Sequence, residues 1–224
     1  MRLNADFTKR VVIRPEDHDW VASPASGVER MMLDRIGDEV ARATTIVRFA
    51  PDSAFDAHTH GGGEEYLVLD GVFSDEAGDY PAGTYVRNPI GTAHRPHIGP
   101  EGATILVKLH QFAASDTEQK VVETSGASFL PSGTPGIGRL PLHAVPSETV
   151  ALERWNAGAI MPVRTHVAGQ EVFVLDGVWE DEHGRYPAGT WLRNPPGFRQ
   201  GGHSTDGCLL YVKTGHLAEG AAAA

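Results

Sequence analysis

Residues 65–91, EYLVLDGVFSDEAGDYPAGTYVRNPIG, return at 171–197 as EVFVLDGVWEDEHGRYPAGTWLRNPPG, with 18 of 27 positions identical at a constant offset of 106. Upstream the same offset pairs Thr44–Phe49 (TTIVRF) with Val150–Trp155 (VALERW). Downstream, ATILVKL (103–109) meets CLLYVKT (208–214) after a one-residue deletion. Self-similarity at a period of domain size marks a duplicated unit, so the 224 residues read as two copies of one fold and not as one large domain.

Each copy reads as all-β. Alternating and β-branched residues recur at 43–49, 53–60, 65–70, 84–87 and 103–109, and 27–40 also favours a strand. Turn signals divide these runs at Pro51-Asp52, Gly61-Gly62-Gly63, Asp70-Gly71, Gly78-Asp79 and Asn88–Gly91. Short strands separated by such turns, without an amphipathic helical pattern, predict a sandwich or small barrel in each half. The expected layout is an N-terminal domain over 1–115, a connector over 116–145 and a C-terminal domain over 146–220. The connector assignment rests on Gly126, Gly133, Gly136, Gly138, Pro131, Pro135 and Pro141, which oppose regular helix. The Ala221–Ala224 tail is of low complexity and is expected to fray.

Composition narrows the partners. Hydrophobic residues at 41% and charged residues at 21% give a globular balance. A net charge of −10 supplies no broad basic surface, so nucleic acid is excluded as an expected partner. No stretch approaches a membrane span and the start has no apolar leader, so the expectation is a cytoplasmic protein with no membrane association. Cys208 is the one cysteine, which rules out an intrachain disulfide and a CxxC zinc site.

The chemistry concentrates in His58-Thr59-His60, Glu64 and His94. On a strand, residues i and i+2 share a face, so His58 and His60 point into one space. Three glycines turn the chain to Glu64, and Pro89–His94 returns a third imidazole. Three nitrogens and one carboxylate suit zinc, iron, nickel or manganese and leave coordination positions for water or substrate. Glu65 is a rival to Glu64, but strand parity turns it to the opposite face. His97 and His110 read as outer or surface residues, with His97 also a candidate base or substrate contact.

These residues resemble a known family. HTHGGGEEYLVLDG (58–71) fits the first cupin motif, HxHxxxE followed by six residues and Gly. GTYVRNPIGTAH (83–94) fits the second, Gly, five residues, PxG, two residues and His. The wording around them is similar to the zinc-binding cupin domain of ChrR-type anti-sigma factors. The resemblance implies two tandem jelly-roll cupin barrels, with metal ligands at His58, His60, Glu64 and His94. It covers about residues 10–112 well and the degenerate repeat 138–217 less well. At the offset of 106 the second copy replaces the four ligands by Arg164, His166, Gln170 and Gln200. A guanidinium, one imidazole and two amides do not hold a divalent ion tightly, so one metal per chain is expected, in the N-terminal barrel, with zinc first and iron, nickel or manganese as alternatives. The second set reads as a decayed site or as a pocket for a small anion at Arg164.

Function divides accordingly. The resemblance implies a sensory or regulatory protein whose metal site takes a small-molecule ligand or meets an oxidant. ChrR-type factors grip their sigma factor through a separate helical domain with a His/Cys zinc site. The residues before Ala43 contain no cysteine, so sigma-factor contact is not expected. The alternative is an Fe(II) cupin dioxygenase that cleaves a diketone or hydroxy-aryl ketone. A metal-dependent binding module without turnover is the third class. A homodimer is compatible with all three.

Overall fold

The computed structural model describes residues 1–218; Ala221–Ala224 and the final residues of the expected C-terminal domain lie outside them. In chain order the strands begin with β1 (Arg2–Leu3), β2 (Val11–Ile13), β3 (Val21–Ala22), β4 (Val28–Gly37) and β5 (Ala41–Phe49). They continue with β6 (His58–Thr59), β7 (Glu64–Asp75), β8 (Gly78–Pro81), β9 (Thr84–Asn88), β10 (Ala93–His94), β11 (His97–Leu109) and β12 (Lys120–Glu123). The second half supplies β13 (Leu130–Pro131), β14 (Ile137–Val145), β15 (Glu148–Trp155), β16 (Ala159–His166), β17 (Gln170–Asp181), β18 (Gly184–Pro187), β19 (Trp191–Asn194), β20 (Phe198–Ser204) and β21 (Cys208–Thr214). The only helical element among the described residues is one 3-10 turn at Pro15–Asp17, and none is long and apolar enough to cross a membrane.

The chain divides into two compact units. The first holds Met1–Ala5 and Asp19–Gly126; the second holds Asp6–His18 and the described residues from Ala127 onward. In the first unit the strand order is β1-β4-β5-β11-β7-β9-β12, with β3 on β4 and β8 on β7, and β6 and β10 form a separate antiparallel pair. In the second, β13-β14-β15-β21-β17-β19-β2 repeats that order, with β16 paired to β20 and β18 to β17. These are the two tandem cupin folds, and neither strand path closes into a ring.

Alternation builds each core. Tyr66 and Val68 share a face of β7 with Glu64 and pack with Val47, Phe73, Val86, Ile105 and Val107. Glu65 falls on the other face, where it is buried and paired with Arg87, as strand parity requires. The bend that ends the first half of β7 needs Gly71, at φ 68°. A Cβ there would lie 2.1 Å from the Gly102 carbonyl oxygen, so only glycine fits.

The structure departs from the expected layout at the connector. Residues 116–126 belong to the first unit, where β12 pairs with β9. Residues 127–145 belong to the second, where β14 pairs with β15 from Ile137–Trp155 to Val145–Glu148. Gly126, Gly133, Pro135 and Gly136 sit at turns, Pro131, Gly138 and Pro141 lie within β13 and β14, and the apolar Ile137 and Leu142 are buried as core. The N-terminal boundary also moves, because β2 pairs with β19 of the second unit. The expected strand 53–60 shrinks to His58–Thr59, preceded by a Pro51-Asp52 turn with Asp52 at φ 57°.

Candidate metal centre

β6 and β10 place the imidazoles. Their antiparallel register sets His94 opposite His58, and the His60 N–H donates to the Thr92 carbonyl at 2.9 Å. The Gly91 N–H returns to the His60 carbonyl at 3.0 Å, so the glycine of the second motif closes the loop that carries His94. Glu64 opens β7 on the same side. One ligand atom from each of His58, His60, Glu64 and His94 lies within 4.8 Å of the others. His60, Glu64 and His94 are buried, whereas His58 is exposed. Glu64 Oε2 stands 3.3 Å from His60 Nε2 and 3.6 Å from His94 Nε2.

The outer hydrogen bonds determine which nitrogens face inward. His58 Nδ1 is 3.2 Å from the Asp56 carbonyl oxygen, which only accepts, so Nδ1 carries the proton. The Thr92 hydroxyl donates its one proton to the Pro89 carbonyl at 2.7 Å, and therefore accepts from His60 Nδ1 at 2.9 Å. His94 Nδ1 is 3.1 Å from the Asp75 carboxylate, again an acceptor. With Nδ1 as the donor, the neutral form of each ring presents its Nε2 lone pair toward Glu64. His94 Nε2 and His58 Nε2 face each other at 3.2 Å, and the buried His60 Nε2 has no hydrogen-bond partner among the described residues. Burial pushes the His60 pKa down, which favours the neutral ring that can act as a ligand. Three imidazole nitrogens and a carboxylate oxygen converging on one point suit a divalent ion.

A cavity of about 580 Å³ opens beside these atoms. It is lined mainly by Val28, Val47, Phe49, Phe55, Phe73, Ile105, Val107 and Leu109, with Ser26 and Asp56 as further polar members and His58, Glu64 and His94 at one side. Phe49 bridges Phe55 and Phe73 through edge contacts at centroid separations of 5.3 and 5.4 Å. No lysine or arginine is among the lining residues.

His97 does not join the centre. It is exposed on β11 opposite Ser74 and lines a separate depression of about 270 Å³ with Ser74, Asp79 and Glu101. The alternation that separates it from the ligand strand also turns it away from the chamber. His110, at φ 55°, lies against Gly62 behind the ligand loop.

The second unit keeps the frame with different side chains at the four positions. Arg164 pairs with Gln200 as His58 pairs with His94. Gln200 is saturated by the protein itself: its Nε2 donates to Asp181, and its Oε1 accepts from Asn194 Nδ2 at 2.6 Å. His166 Nε2 and Gln170 Oε1 are buried without hydrogen-bond partners among the described residues. Burial, and then the Arg164 charge, lower the His166 pKa to about 4. Trp155, Met161 and Trp179 occupy the positions of Phe49, Phe55 and Phe73 and are packed into the core. Gly202, in place of Pro96, makes room, since a Cβ there would fall 2.7 Å from Trp179 Nε1.

Sequence reasoning missed Asp75, Thr92, Asn88 and the aromatic wall. Asp75 and Asn88 do carry a signal, because both recur at the repeat offset, as Asp181 and Asn194.

Comparison with known proteins agrees with this architecture. The family model described as the ChrR cupin-like domain matches residues 8–113 and again 117–218. No curated protein matches. Among solved structures, a candidate dioxygenase from Nostoc punctiforme superposes with a TM-score of 0.71 at 14% identity, over 99% of this chain and 85% of that one. A protein from Pseudomonas aeruginosa, described as a candidate glyoxylate-induced protein, gives 0.73 at 15% identity, over 92% and 87%. Oxalate decarboxylase from Bacillus subtilis, described with Mn(II) centres, gives 0.61 at 12% identity, over 91% and 76%. At these identities the likeness is one of fold.

Proposed function

This chain belongs to the ChrR cupin-like domain family in both repeats, and on that premise we propose that its first unit is a mononuclear metal centre for oxygenation of a small apolar molecule. His58, His60, Glu64 and His94 hold the ion, which when bound supplies Lewis acidity, a template for the substrate's polar atoms and, as iron, electrons for dioxygen. The observation that carries the reading is the placement of three of these groups, His58, Glu64 and His94, at the side of a mainly hydrocarbon-lined cavity of about 580 Å³, with His60 converging on them from behind.

The protein's own part is positioning and exclusion of water. Asp56, Thr92 and Asp75 fix the three Nδ1 protons and so keep each Nε2 free. Asn88 Nδ2 donates to Glu64 Oε2 at 3.2 Å and holds the carboxylate in place. The phenylalanine wall receives the substrate's body. A bound dication and the Glu64 carboxylate together carry one net positive charge, which a singly charged chelator offsets; with no lysine or arginine in the lining, the second charge of a dianion would go uncompensated, which is costly in an apolar site. The chamber therefore suits a neutral or singly charged chelating ketone, of the β-diketone or hydroxy-aryl ketone kind, and not a small dicarboxylate such as oxalate.

Oxygen uptake by Fe(II)-reconstituted protein with a panel of β-diketones tests this reading. Uptake stoichiometric with substrate loss supports it, and none from a fully iron-loaded centre overturns it. The family match favours a second reading, a sensor that binds a ligand at zinc without turnover. Zinc in protein purified without added metal, with ligand binding but no uptake, would select it. Recovery of a sigma factor on the immobilised protein would extend it to regulation.

A further inference from the structure

Each of the three imidazoles of the first unit leans on one outer acceptor, and only one of those acceptors is charged. His58 uses a peptide carbonyl and His60 a hydroxyl, whereas His94 uses the Asp75 carboxylate at 3.1 Å. Asp75 is buried at the end of β7 and is itself braced. Its Oδ1 accepts from the Tyr80 hydroxyl at 3.1 Å and from the Ala77 N–H at 2.8 Å, which leaves Oδ2 for His94. The neighbouring Glu76 accepts from the Arg95 N–H at 2.8 Å, so the β7–β8 turn grips the ligand segment at two successive residues.

The second unit repeats this clamp without the ligands. Asp181 accepts from Tyr186 at 2.7 Å and from Gln200, and Glu182 accepts from the Gly201 N–H at 3.2 Å. One group is added there. Arg10 reaches Asp181 Oδ2 at 3.1 Å and the Tyr186 hydroxyl at 2.7 Å. In the first unit the residue aligned with Arg10 is Gln119, which donates to Asn88 at 3.3 Å, and among the described residues no guanidinium reaches Asp75. The buried aspartate thus has a protein cation where the ligands are gone, and none where they are present.

We infer that Asp75 is a positioning residue of the metal centre, the second anionic partner of the ion acting through His94, and that Arg10 replaces the ion's charge in the second unit. The inference rests on the metal-centre reading above. A buried carboxylate without a cation is costly, and a dication bound through His94 relieves it. In return the carboxylate holds the His94 Nδ1 proton and raises the basicity of Nε2.

The test is Asp75→Asn, read by zinc affinity in competition with a chromophoric chelator and by the visible spectrum of the Co(II)-loaded protein. Tyr80 and Ala77 hold the amide oxygen of the new side chain, so its NH₂ faces His94 Nδ1 and drives the ring proton to Nε2, the ligand position. Zinc affinity is expected to fall about 10- to 100-fold, with an altered Co(II) spectrum. Asp181→Asn should change neither. Wild-type affinity and spectrum in Asp75→Asn would overturn the assignment, while failure of the wild-type protein to bind zinc would overturn the centre itself. If Asp75→Asn does not fold, ¹⁵N-histidine spectra of the zinc-loaded wild type decide: a protected Nδ1 proton on His94 supports the role, and a freely exchanging one overturns it.

Discussion

Replacing Glu64 by glutamine gives the first unit the residue that the second unit carries at Gln170, with almost no change in shape. The carboxylate is the only anion among the four converging groups, so the substitution leaves a neutral donor set against a dication. Outer partners of metal ligands contribute 10- to 100-fold to affinity, so loss of a direct anionic ligand should cost about 100-fold or more. At free zinc about 1,000 times the wild-type Kd, binding stabilises the native state by about 4.1 kcal/mol; with a Kd 100-fold weaker this falls to about 1.4 kcal/mol. The difference, about 2.7 kcal/mol, corresponds to about 10–20 °C in the zinc-dependent melting shift of a unit of this size. Without zinc the two proteins should melt alike, because the amide oxygen of the substituted side chain can still accept from Asn88 Nδ2. Differential scanning calorimetry is the assay, since Trp155, Trp179 and Trp191 belong to the second unit and fluorescence would mainly follow that one. A full zinc-dependent shift in Glu64→Gln would refute the assignment of this carboxylate as a ligand.

Other expected outcomes follow from the contrast between the units. His60→Ala or His94→Ala should remove most of the bound metal from a stoichiometry near one per chain, and His166→Ala should leave it unchanged, as elemental analysis will read. Phe49→Trp, Phe73→Trp and Pro96→Gly together copy the filled core of the second unit; ligand binding should weaken by about 1–3 kcal/mol in titration calorimetry, while zinc affinity persists. His166, with its folded pKa lowered from 6.5 to about 4, contributes stability that is complete above pH 6.5 and is lost as pH falls toward 4. Allowing for partial solvation, that contribution is about 1–2 kcal/mol, and urea unfolding between pH 7 and 4 should show a correspondingly flatter slope in His166→Gln. Burial raises the Cys208 thiol to about 11, so it should resist thiol reagents until denaturant is added.

The convergence of the four candidate groups was legible because strand geometry converts spacing into direction. His58 and His60 are two residues apart, and Glu64 and Glu65 are separated by parity alone, so no tertiary information was needed. The connector misled because glycine and proline exclude helix but do not exclude short strands between turns. In addition, GVERMML (27–33) matches GIGRLPL (136–142) at an offset of 109 and not 106. A shorter β14–β15 turn in the second copy hides that match from a fixed-offset comparison. Asp75 was not legible as an outer partner, since it meets His94 across β7 and β10, 19 residues apart. The destination of Val11–Ile13 was illegible for the same reason, because three apolar residues do not state which sheet edge they complete.

That destination bears on the history of the chain. The matched repeats begin at residues 8 and 117, yet β2, near the start of the first, completes the second unit, and β12, near the start of the second, completes the first. Each copy lends the other an edge. Deleting the repeat that lost its imidazoles would strip β12 from the unit that kept them and expose the β9 edge to intermolecular pairing. The second copy is thus tied to the first by architecture whatever its own chemistry, and its interior is filled with tryptophan.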